Sequence, residues 1–340
     1  MVENANLIAL LTMLLTRLYY RCKRFVPWRL RLVLRQIHAK RILRNCEGFW
    51  PIQESAGCKP PGWPGWRDGK RFALVLTHDV EGQRGLDRVK QLAEMEKALG
   101  FRSSFNFIPE GEYTVSAALR TWLTDRGFEV GVHDLHHDGH LFSSSKGFGR
   151  KAEQINNYLE EWNAVGFRSA FMLRNLEWIR ELHIRYDAST FDTDPFEPEP
   201  YGVETIYPFY VEGTNGREGY VELPYTLPQD STLFVLLRHP KFQRIWREKL
   251  NWIAGCGGMA LLNVHPDYVA FGGKSHSSNY PADLYWEFLS WLKQEHAGKY
   301  WHVLPAEVAR FIRSIAPIKE PADQKIQSLA DVGPGIAFSR

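Results

Sequence analysis

The sequence predicts an α/β protein whose main domain is a β/α barrel. Short apolar strands alternate along the chain with helix-length stretches, a pattern typical of a mainly parallel sheet. Three helical stretches end at a glycine, as expected where a left-handed cap precedes the next strand: Gly100-Phe101, Gly127-Phe128 and Gly166-Phe167. Residues 70–315 span close to the roughly 250 residues of such a barrel. A doubly wound open sheet is the alternative, but no G-x-G-x-x-G follows the first strand.

Periodicity places four strands and four helices in the domain of residues 70–315. The strands are predicted at Phe72–Leu76, Ser104–Ile108, Phe128–Val132 and Met259–Val264. The helices are predicted at Leu86–Leu99, Val115–Asp125, Lys151–Ala164 and Ala282–Lys293.

The rest of the chain divides by composition into three segments: a basic segment 1–47, a loop 48–69 rich in Pro, Gly and Trp, and a tail 316–340 that we expect to be mobile. Residues 17–44 hold ten basic residues and no acidic one, although the whole chain has 42 Lys+Arg against 39 Asp+Glu. Nucleic-acid coat proteins spread positive charge over the folded body, so no nucleic-acid partner is expected.

The basic segment is predicted to contain an amphipathic helix with one apolar face, formed by Leu30, Val33, Leu34 and Ile37. Together with the apolar stretch Leu7–Leu15, this helix predicts contact of residues 7–44 with an anionic membrane surface. The alternative is that the same face docks on the main domain and leaves the arginines in solvent.

Residues Leu7–Leu15 are too few to span a bilayer, and the features of a secretory signal are missing around them. Four scattered cysteines also agree with a reducing compartment: Cys22, Cys46, Cys58 and Cys256. The sequence therefore predicts a cytoplasmic protein, with a peripheral position at the inner face of the membrane as a further hypothesis. It indicates nothing about the oligomeric state.

Ionisable residues follow three of the predicted strands directly. Thr77-His-Asp-Val-Glu81 follows the first strand, His133-Asp-Leu-His-His137 the third, and His265-Pro-Asp-Tyr268 the last. The carboxyl ends of the strands in a parallel barrel lie on one rim, so these three groups are expected to converge.

Two histidines and one carboxylate in these groups suit a divalent cation, most simply Zn²⁺. His133 and His137 have a spacing that places two imidazoles on one side of a helical turn. Asp79 and Glu81 would point to the same side of an extended backbone. Three protein ligands leave a position open for water, as in catalytic zinc sites. A competing pair has the same spacing: His136 and His140.

Proton transfer needs a base and an acid beside such a cation. Asp79 is available as the base if Glu81 holds the metal, and His265 is available as the acid for a departing amine. Asp267 either orients His265 or begins a turn beside Pro266.

These motifs resemble the polysaccharide deacetylase family, metal-dependent carbohydrate esterases built on a distorted β/α barrel, over residues 70–315. Thr77–Glu81 resembles the family's Thr-Phe-Asp-Asp-Gly motif, which implies Asp79 as base and, two positions on, Glu81 as metal ligand. His133–His137 resembles His-Ser/Thr-x-x-His. Asn263-Val-His265 resembles Leu-x-His, with Asn in place of Leu.

The resemblance implies two further site residues. Arg168 matches the arginine that pairs with the catalytic aspartate, although the proline usual two positions later is Ala170. An aspartate that tunes the acid histidine has three candidates: Asp187, Asp192 and Asp194. We also expect the loop Val221–Asp230 to offer sugar ligands (Glu222, Tyr225 and Asp230), and Trp63 or Trp66 to stack on a pyranose ring.

The function implied is a metal-dependent hydrolase that removes an N-acetyl group from a sugar or polysaccharide. A lipid-linked substrate is a further hypothesis, suggested by the basic N-terminal segment. Because every motif is altered, one alternative is a catalytically inactive carbohydrate-binding or polysaccharide-biosynthesis accessory protein. Another keeps the chemistry but acts on a ureide or cyclic amide.

Overall fold

A computed structural model describes residues 27–46, 48–214, 218–238, 242–272 and 278–315. The stretch Leu7–Leu15 and the tail 316–340 therefore lie outside the described residues, as does most of the predicted membrane segment before Trp28. Within the described ranges, no helix is long and apolar enough to cross a bilayer.

The core is a curled, nine-stranded sheet, with a separate two-stranded sheet beside it. The strands are β1 Phe72–Val80, β2 Ser104–Phe107, β3 Glu129–His133, β4 Gly166–Arg168, β5 Tyr186–Asp187, β6 Phe209–Val211, β7 Tyr220–Glu222, β8 Met259–Asn263, β9 Val269–Ala270, β10 Tyr280–Pro281 and β11 Tyr300–His302.

Helices surround this sheet: α1 Trp28–Asn45, α2 Gln83–Leu99, α3 Ala117–Thr124, α4 Ser145–Glu161, α5 Leu176–Ile179, α6 Phe242–Cys256, α7 Ala282–Glu295 and α8 Pro305–Ser314. A π-helical segment covers Ser231–Leu237. Short 3₁₀ turns lie at Glu54–Gly57, Arg67–Gly69, Ala170–Met172 and Pro266–Tyr268.

The sheet has the topology of a distorted β/α barrel, which confirms the predicted fold class. Parallel pairs link the strands in the order β8-β1-β2-β3-β4-β5-β7, and β6 is antiparallel at the edge. A parallel bridge between Leu227 and Leu262 joins the segment after β7 to β8, so the two ends of the sheet meet. The carboxyl ends of β1, β3 and β8 therefore share one rim.

Strand β1 lies at the centre of the sheet and is longer than the predicted Phe72–Leu76. Its first residues pair with β11 and its last four, Thr77–Val80, pair with β2, while β8 pairs along its other edge. All nine residues are buried, which explains the continuous apolar run of the sequence. Asp79 consequently lies within the strand rather than in a loop after it.

Two of the three predicted glycine caps are confirmed. Gly100 and Gly127 have φ of 86° and 83°, in the left-handed region that favours glycine. The third is wrong, because Gly166 begins β4 and Asn163, with φ of 50°, takes the left-handed position after α4. Gly166 is required for another reason: a Cβ there would lie 1.9 Å from the ring of Tyr186.

Helix α1 docks on the barrel through a face that the sequence did not single out. Leu32 and Ala39 are buried, and Gln36 Nε2 donates to the carbonyl oxygen of Val235 at 2.9 Å. The predicted apolar face (Leu30, Val33, Leu34 and Ile37) is exposed instead. The alternative in which that face covers the main domain is therefore wrong.

The loop 48–69 packs under the amino end of the barrel. Trp66 is buried, and its Nε1 donates to the carbonyl oxygens of Gly257 and Gly258 just before β8. Trp63 contacts Trp66 edge to face, with ring centroids 4.8 Å apart. These rings lie at the end of the barrel opposite the polar rim, so they cannot stack on a pyranose ring bound at that rim.

Candidate active site

Side chains from three strand ends converge at one rim of the barrel. Asp79 lies near the end of β1 and Glu81 follows that strand directly. His133 is the last residue of β3, His137 lies in the loop after it, and His265 follows β8. These residues are far apart in sequence but close in space, because β8 and β2 pair in parallel with β1, and β3 pairs in parallel with β2.

Glu81, His133 and His137 form a group that can hold a metal ion. One ligand atom from each of these side chains lies within 4.8 Å of the other two, and Glu81 Oε1 is 3.3 Å from His137 Nε2. No other group of three or more potential ligands of this kind occurs in the described ranges. Two imidazoles and one carboxylate match the donor set of catalytic zinc sites.

The environment of His133 supports a ligand role. Burial lowers the pKa of its imidazole, so the ring is neutral. Its Nδ1 lies 3.0 Å from the carbonyl oxygen of Arg168 and therefore carries the hydrogen. Nε2 is left with a lone pair, is buried, and has no hydrogen-bond partner among the described residues. Such an oriented, unsatisfied nitrogen is typical of a metal ligand fixed by a backbone carbonyl.

Two residues of the segment after β8 hold Glu81 in position. Tyr268 donates its hydroxyl to Glu81 Oε2 at 3.0 Å, and the Glu81 backbone N–H donates to Asp267 Oδ2 at 2.8 Å. Burial opposes ionisation of Glu81, but the imidazoles of His137 and His265 outweigh it and hold the pKa of the carboxyl well below its usual range. Asp267 thus positions Glu81 rather than His265.

The loop after β3 needs unusual backbone geometry to bring His137 into the group. Asp134 and His137 have φ of 55° and 52°. The Asp134 carboxylate accepts the N–H groups of Leu135 at 2.6 Å and Ala170 at 3.3 Å, which fixes the first turn. The competing pair, His136 and His140, is exposed and contributes no atom to the ligand group.

Asp79 is buried and surrounded by donors. Its Oδ1 accepts from Asn106 Nδ2 at 2.9 Å and from Arg168 Nη1 at 3.2 Å. Its Oδ2 accepts from Asn263 Nδ2 at 2.8 Å and lies 3.4 Å from Arg168 Nη1. Burial raises the pKa of the carboxyl, but Arg168 and the nearby imidazoles reverse this and leave the pKa well below its usual range. Asp79 is therefore ionised near neutral pH.

Arg168 connects the polar groups of the barrel interior. Its guanidinium is fully buried; besides Asp79, Nη1 donates to Asn263 Oδ1 at 2.7 Å and to Thr77 Oγ1 at 2.9 Å. Nε donates to the carbonyl oxygen of Ala188 at 2.7 Å. The asparagine that departs from the Leu-x-His motif thus supplies both an acceptor for Arg168 and a donor for Asp79.

His265 forms a buried pair with Asp230. Its Nδ1 lies 2.7 Å from Asp230 Oδ1, its backbone N–H donates to Asp230 Oδ2 at 3.0 Å, and Tyr280 donates its hydroxyl to the same oxygen at 2.9 Å. Burial lowers the pKa of His265, but Asp230, with Glu81 and Asp79, raises it to about 10. Nε2 faces the site, 3.9 Å from Glu81 Oε1.

The three aspartates implied as tuning partners of His265 are wrong, because each has other neighbours. Asp187 accepts from the Ser189 hydroxyl at 2.6 Å, Asp192 pairs with Lys249 at 2.7 Å, and Asp194 accepts from the Tyr225 hydroxyl at 2.9 Å. The aspartate that contacts His265 is Asp230.

The suggested sugar ligands of the loop Val221–Asp230 are also wrong. Glu222 is fully buried on β7 and accepts from the Thr190 hydroxyl at 2.6 Å. Tyr225 is buried against Phe191 and Asp194. Asp230 is buried as the partner of His265, so none of the three presents a free side chain to a sugar.

Several residues of the site were missed in the sequence. Asn106 is a single polar residue between Phe105 and Phe107 in a predicted strand, and that interruption is a usable signal. Gln229, whose Oε1 accepts from Asn263 Nδ2 at 3.2 Å, and Tyr268 lie in irregular segments where no periodicity marks them.

Comparison with solved structures assigns the barrel to a known fold. A protein described as a putative polysaccharide deacetylase from Mycobacterium smegmatis matches with a TM-score of 0.55 at 19% identity, over 76% of this chain and 94% of that one. A probable polysaccharide deacetylase from Pseudomonas aeruginosa PAO1 has the same TM-score at 13% identity, over 76% and 96% of the two chains. PuuE allantoinase also gives 0.55, at 14% identity over 76% and 95%.

No protein-family model matches the sequence, and no curated protein matches it. The low identities of the structural matches leave the conclusion at the level of the fold: the chain has the fold of the polysaccharide deacetylases. The resemblance read from the motifs is confirmed to that extent.

Proposed function

We propose that the protein is a metal-dependent hydrolase that removes an N-acetyl group from a sugar or polysaccharide. The observation that carries this proposal is the juxtaposition of the Glu81, His133 and His137 group with the His265–Asp230 pair at the same rim. Hydrolysis of an amide needs a cation that polarises the carbonyl and an acid that protonates the departing nitrogen, and a cation site beside a proton donor can supply both. The fold likeness to two deacetylases agrees with this choice.

Glu81, His133 and His137 would hold the cation, and Zn²⁺ is the ion that this donor set favours. When bound, the cation supplies Lewis-acid polarisation of the amide carbonyl and of the attacking water. Tyr268 and Asp267 orient the Glu81 carboxylate, and the Arg168 carbonyl orients His133.

Asp79 is the proposed base. Its carboxylate is ionised and held in the barrel interior by Asn106, Arg168 and Asn263. Each of its two oxygens accepts two hydrogen bonds, and the longest of the four is the 3.4 Å contact from Arg168 to Oδ2. The ionised carboxylate is the group proposed to accept the proton of the attacking water.

His265 is the proposed acid. Its pKa of about 10 keeps the imidazole protonated at neutral pH, and Asp230 holds Nδ1 so that Nε2 carries the proton toward the site. Donation from Nε2 to the departing nitrogen prevents expulsion of an unprotonated amide anion.

The fold likeness to an allantoinase keeps a cyclic amide or ureide as a second candidate substrate. In the third alternative the protein is inactive and these residues catalyse no reaction. Two assays, each with and without a chelator, distinguish the three possibilities: acetate release from N-acetylated oligosaccharides, and hydrolysis of allantoin.

We expect acetate release that a chelator abolishes and Zn²⁺ restores. Asp79→Asn should lower kcat by at least ~100-fold, whereas His140→Gln, a change in an exposed histidine outside the ligand group, should leave it unchanged. Allantoin hydrolysis without acetate release would favour the second candidate. Absence of both reactions in metal-loaded protein would leave only the inactive alternative.

The cytoplasmic location, the inner face of the membrane and the lipid-linked substrate remain predictions. The anionic membrane surface predicted for residues 7–44 is also untested, and of that segment the structure describes only residues 27–44.

A further inference from the structure

Helix α1 carries apolar side chains on two opposite faces, and the described part of the chain covers only one. The inner face packs on the barrel through Leu32 and Ala39. The outer face consists of four aliphatic residues at i, i+3, i+4 and i+7, each between 48% and 53% exposed: Leu30, Val33, Leu34 and Ile37. Large aliphatic side chains clustered on a solvent-facing helix face mark an interaction surface.

Cations accompany this outer face, and the helix has no acidic residue to balance them. Lys40, Arg41 and Arg44 are all exposed, and the sequence Trp28–Asn45 contains neither Asp nor Glu. An aliphatic stripe beside basic residues is typical of helices that lie in the headgroup region of a bilayer. Each basic residue strengthens binding to an anionic surface by roughly fivefold.

We propose that the outer face of α1 docks on an anionic phospholipid bilayer. Charge decides between a bilayer and a second copy of this chain. A symmetric pair joined through this face would bring the same uncompensated cations of both copies together, which is repulsive. Anionic headgroups neutralise those cations while the acyl chains receive the four aliphatic side chains.

Helix α1 packs on a part of the barrel that is near the candidate active site in sequence. Gln36 donates to the Val235 carbonyl in the π-helical segment, which begins immediately after Asp230, the partner of His265. A docked α1 therefore holds the barrel at the lipid surface. The consequence that the substrate is a sugar carried on a lipid rests on the proposed deacetylase function.

Vesicle sedimentation of the full chain tests the docking. We expect the protein to bind vesicles in which about one third of the lipid is anionic phosphatidylglycerol, and we expect salt to weaken this binding. Vesicles of pure phosphatidylcholine should not bind the protein. The double change Leu34→Ser with Ile37→Ser should weaken binding by at least ~10-fold. Arg41→Gln with Arg44→Gln should weaken it by roughly 30-fold at low salt.

Matched controls use exposed residues of other helices. Trp286→Ser removes an exposed apolar side chain of α7, and Lys146→Gln with Arg150→Gln removes two exposed cations of α4; neither change should alter vesicle binding. Wild-type protein that ignores anionic vesicles, or Leu34/Ile37 variants that bind as well as wild type, would overturn the proposal. A dimer in vesicle-free solution that the Leu34/Ile37 change abolishes would show that a second copy covers the face.

The same variants separate this proposal from the deacetylase function. Acetate release from a water-soluble oligosaccharide should be unchanged by Leu34→Ser with Ile37→Ser, because these side chains lie outside the site. If wild-type protein releases acetate but does not bind vesicles, only the docking proposal is refuted. If it binds vesicles but releases no acetate, only the proposed deacetylase function is refuted.

Discussion

Removal of the Asp230 carboxylate should change one directly measurable property of the site, the pKa of His265. Its carboxylate contacts His265 Nδ1 at 2.7 Å and, with Glu81 and Asp79 and against the effect of burial, raises the pKa of that imidazole from 6.5 to about 10. At 1.36 kcal/mol per pKa unit, this rise corresponds to about 5 kcal/mol in favour of the charged ring. Asp230→Asn keeps an oxygen that can accept from Tyr280 and from the His265 backbone, but it removes the charge.

With that charge gone, burial is opposed only by Glu81 and Asp79, and the pKa of His265 should fall toward 6.5. At a pKa of 6.5 the protonated fraction in metal-free protein at pH 8 is about 3%, against nearly complete protonation in wild type. Histidine NMR titration of metal-free wild type and Asp230→Asn measures this directly, and Asp194→Asn, a buried aspartate paired with Tyr225 instead, is the control. An unchanged titration of His265 in Asp230→Asn would refute the assignment of Asp230.

The same pair makes stability depend on pH in a defined direction. Because the pKa of His265 is higher in the folded state than in the unfolded state, its contribution is fully present below pH 6.5 and is lost as the pH rises through about 10. The difference in unfolding free energy between wild type and Asp230→Asn should therefore shrink over that interval. Urea unfolding of metal-free protein across this range measures it.

Two further changes test the groups that position the site. Asn263→Leu, which restores the usual motif residue, should still destabilise the fold by about 1–3 kcal/mol, because it removes the 2.7 Å acceptor of Arg168 and a donor to Asp79; denaturant unfolding is the measurement, and a stabilised variant would contradict the network. Gly85→Ala should lower metal affinity by roughly 10-fold or more, because its Cβ would lie 2.1 Å from Asp267 Oδ2, which anchors the backbone after β1; calorimetric titration with Zn²⁺ checks this, and unchanged affinity would contradict it.

The sequence predicted the features that depend on local residue patterns, namely the strand positions and the sides on which their residues lie. Apolar runs located the starts of β1, β2 and β8 at the observed residue and the start of β3 to within one residue. The alternation along β1 indicated that Asp79 and Glu81 share a side. The end of β1 was missed because Thr77–Val80 are held in the sheet by pairing with β2, which overrides their polarity.

Partners that depend on closure of the barrel could not be predicted. Asp230 reaches His265 because the segment around Leu227 pairs with β8, a long-range contact that no local pattern records. The docking face of α1 was missed for a related reason. Its outer stripe is the more apolar one, but the inner face gains the hydrogen bond from Gln36 to Val235 and the burial of Leu32 and Ala39.

The central claim is that Glu81, His133 and His137 together bind one divalent cation. The most direct measurement is the metal content of the full chain after loading with Zn²⁺ and dialysis, for wild type, His133→Gln and the matched control His136→Gln, whose imidazole lies outside the ligand group. The account predicts one tightly held ion per chain in wild type and in His136→Gln, and almost none in His133→Gln. A wild-type chain without bound zinc, or a His133→Gln chain that retains it, would contradict the account.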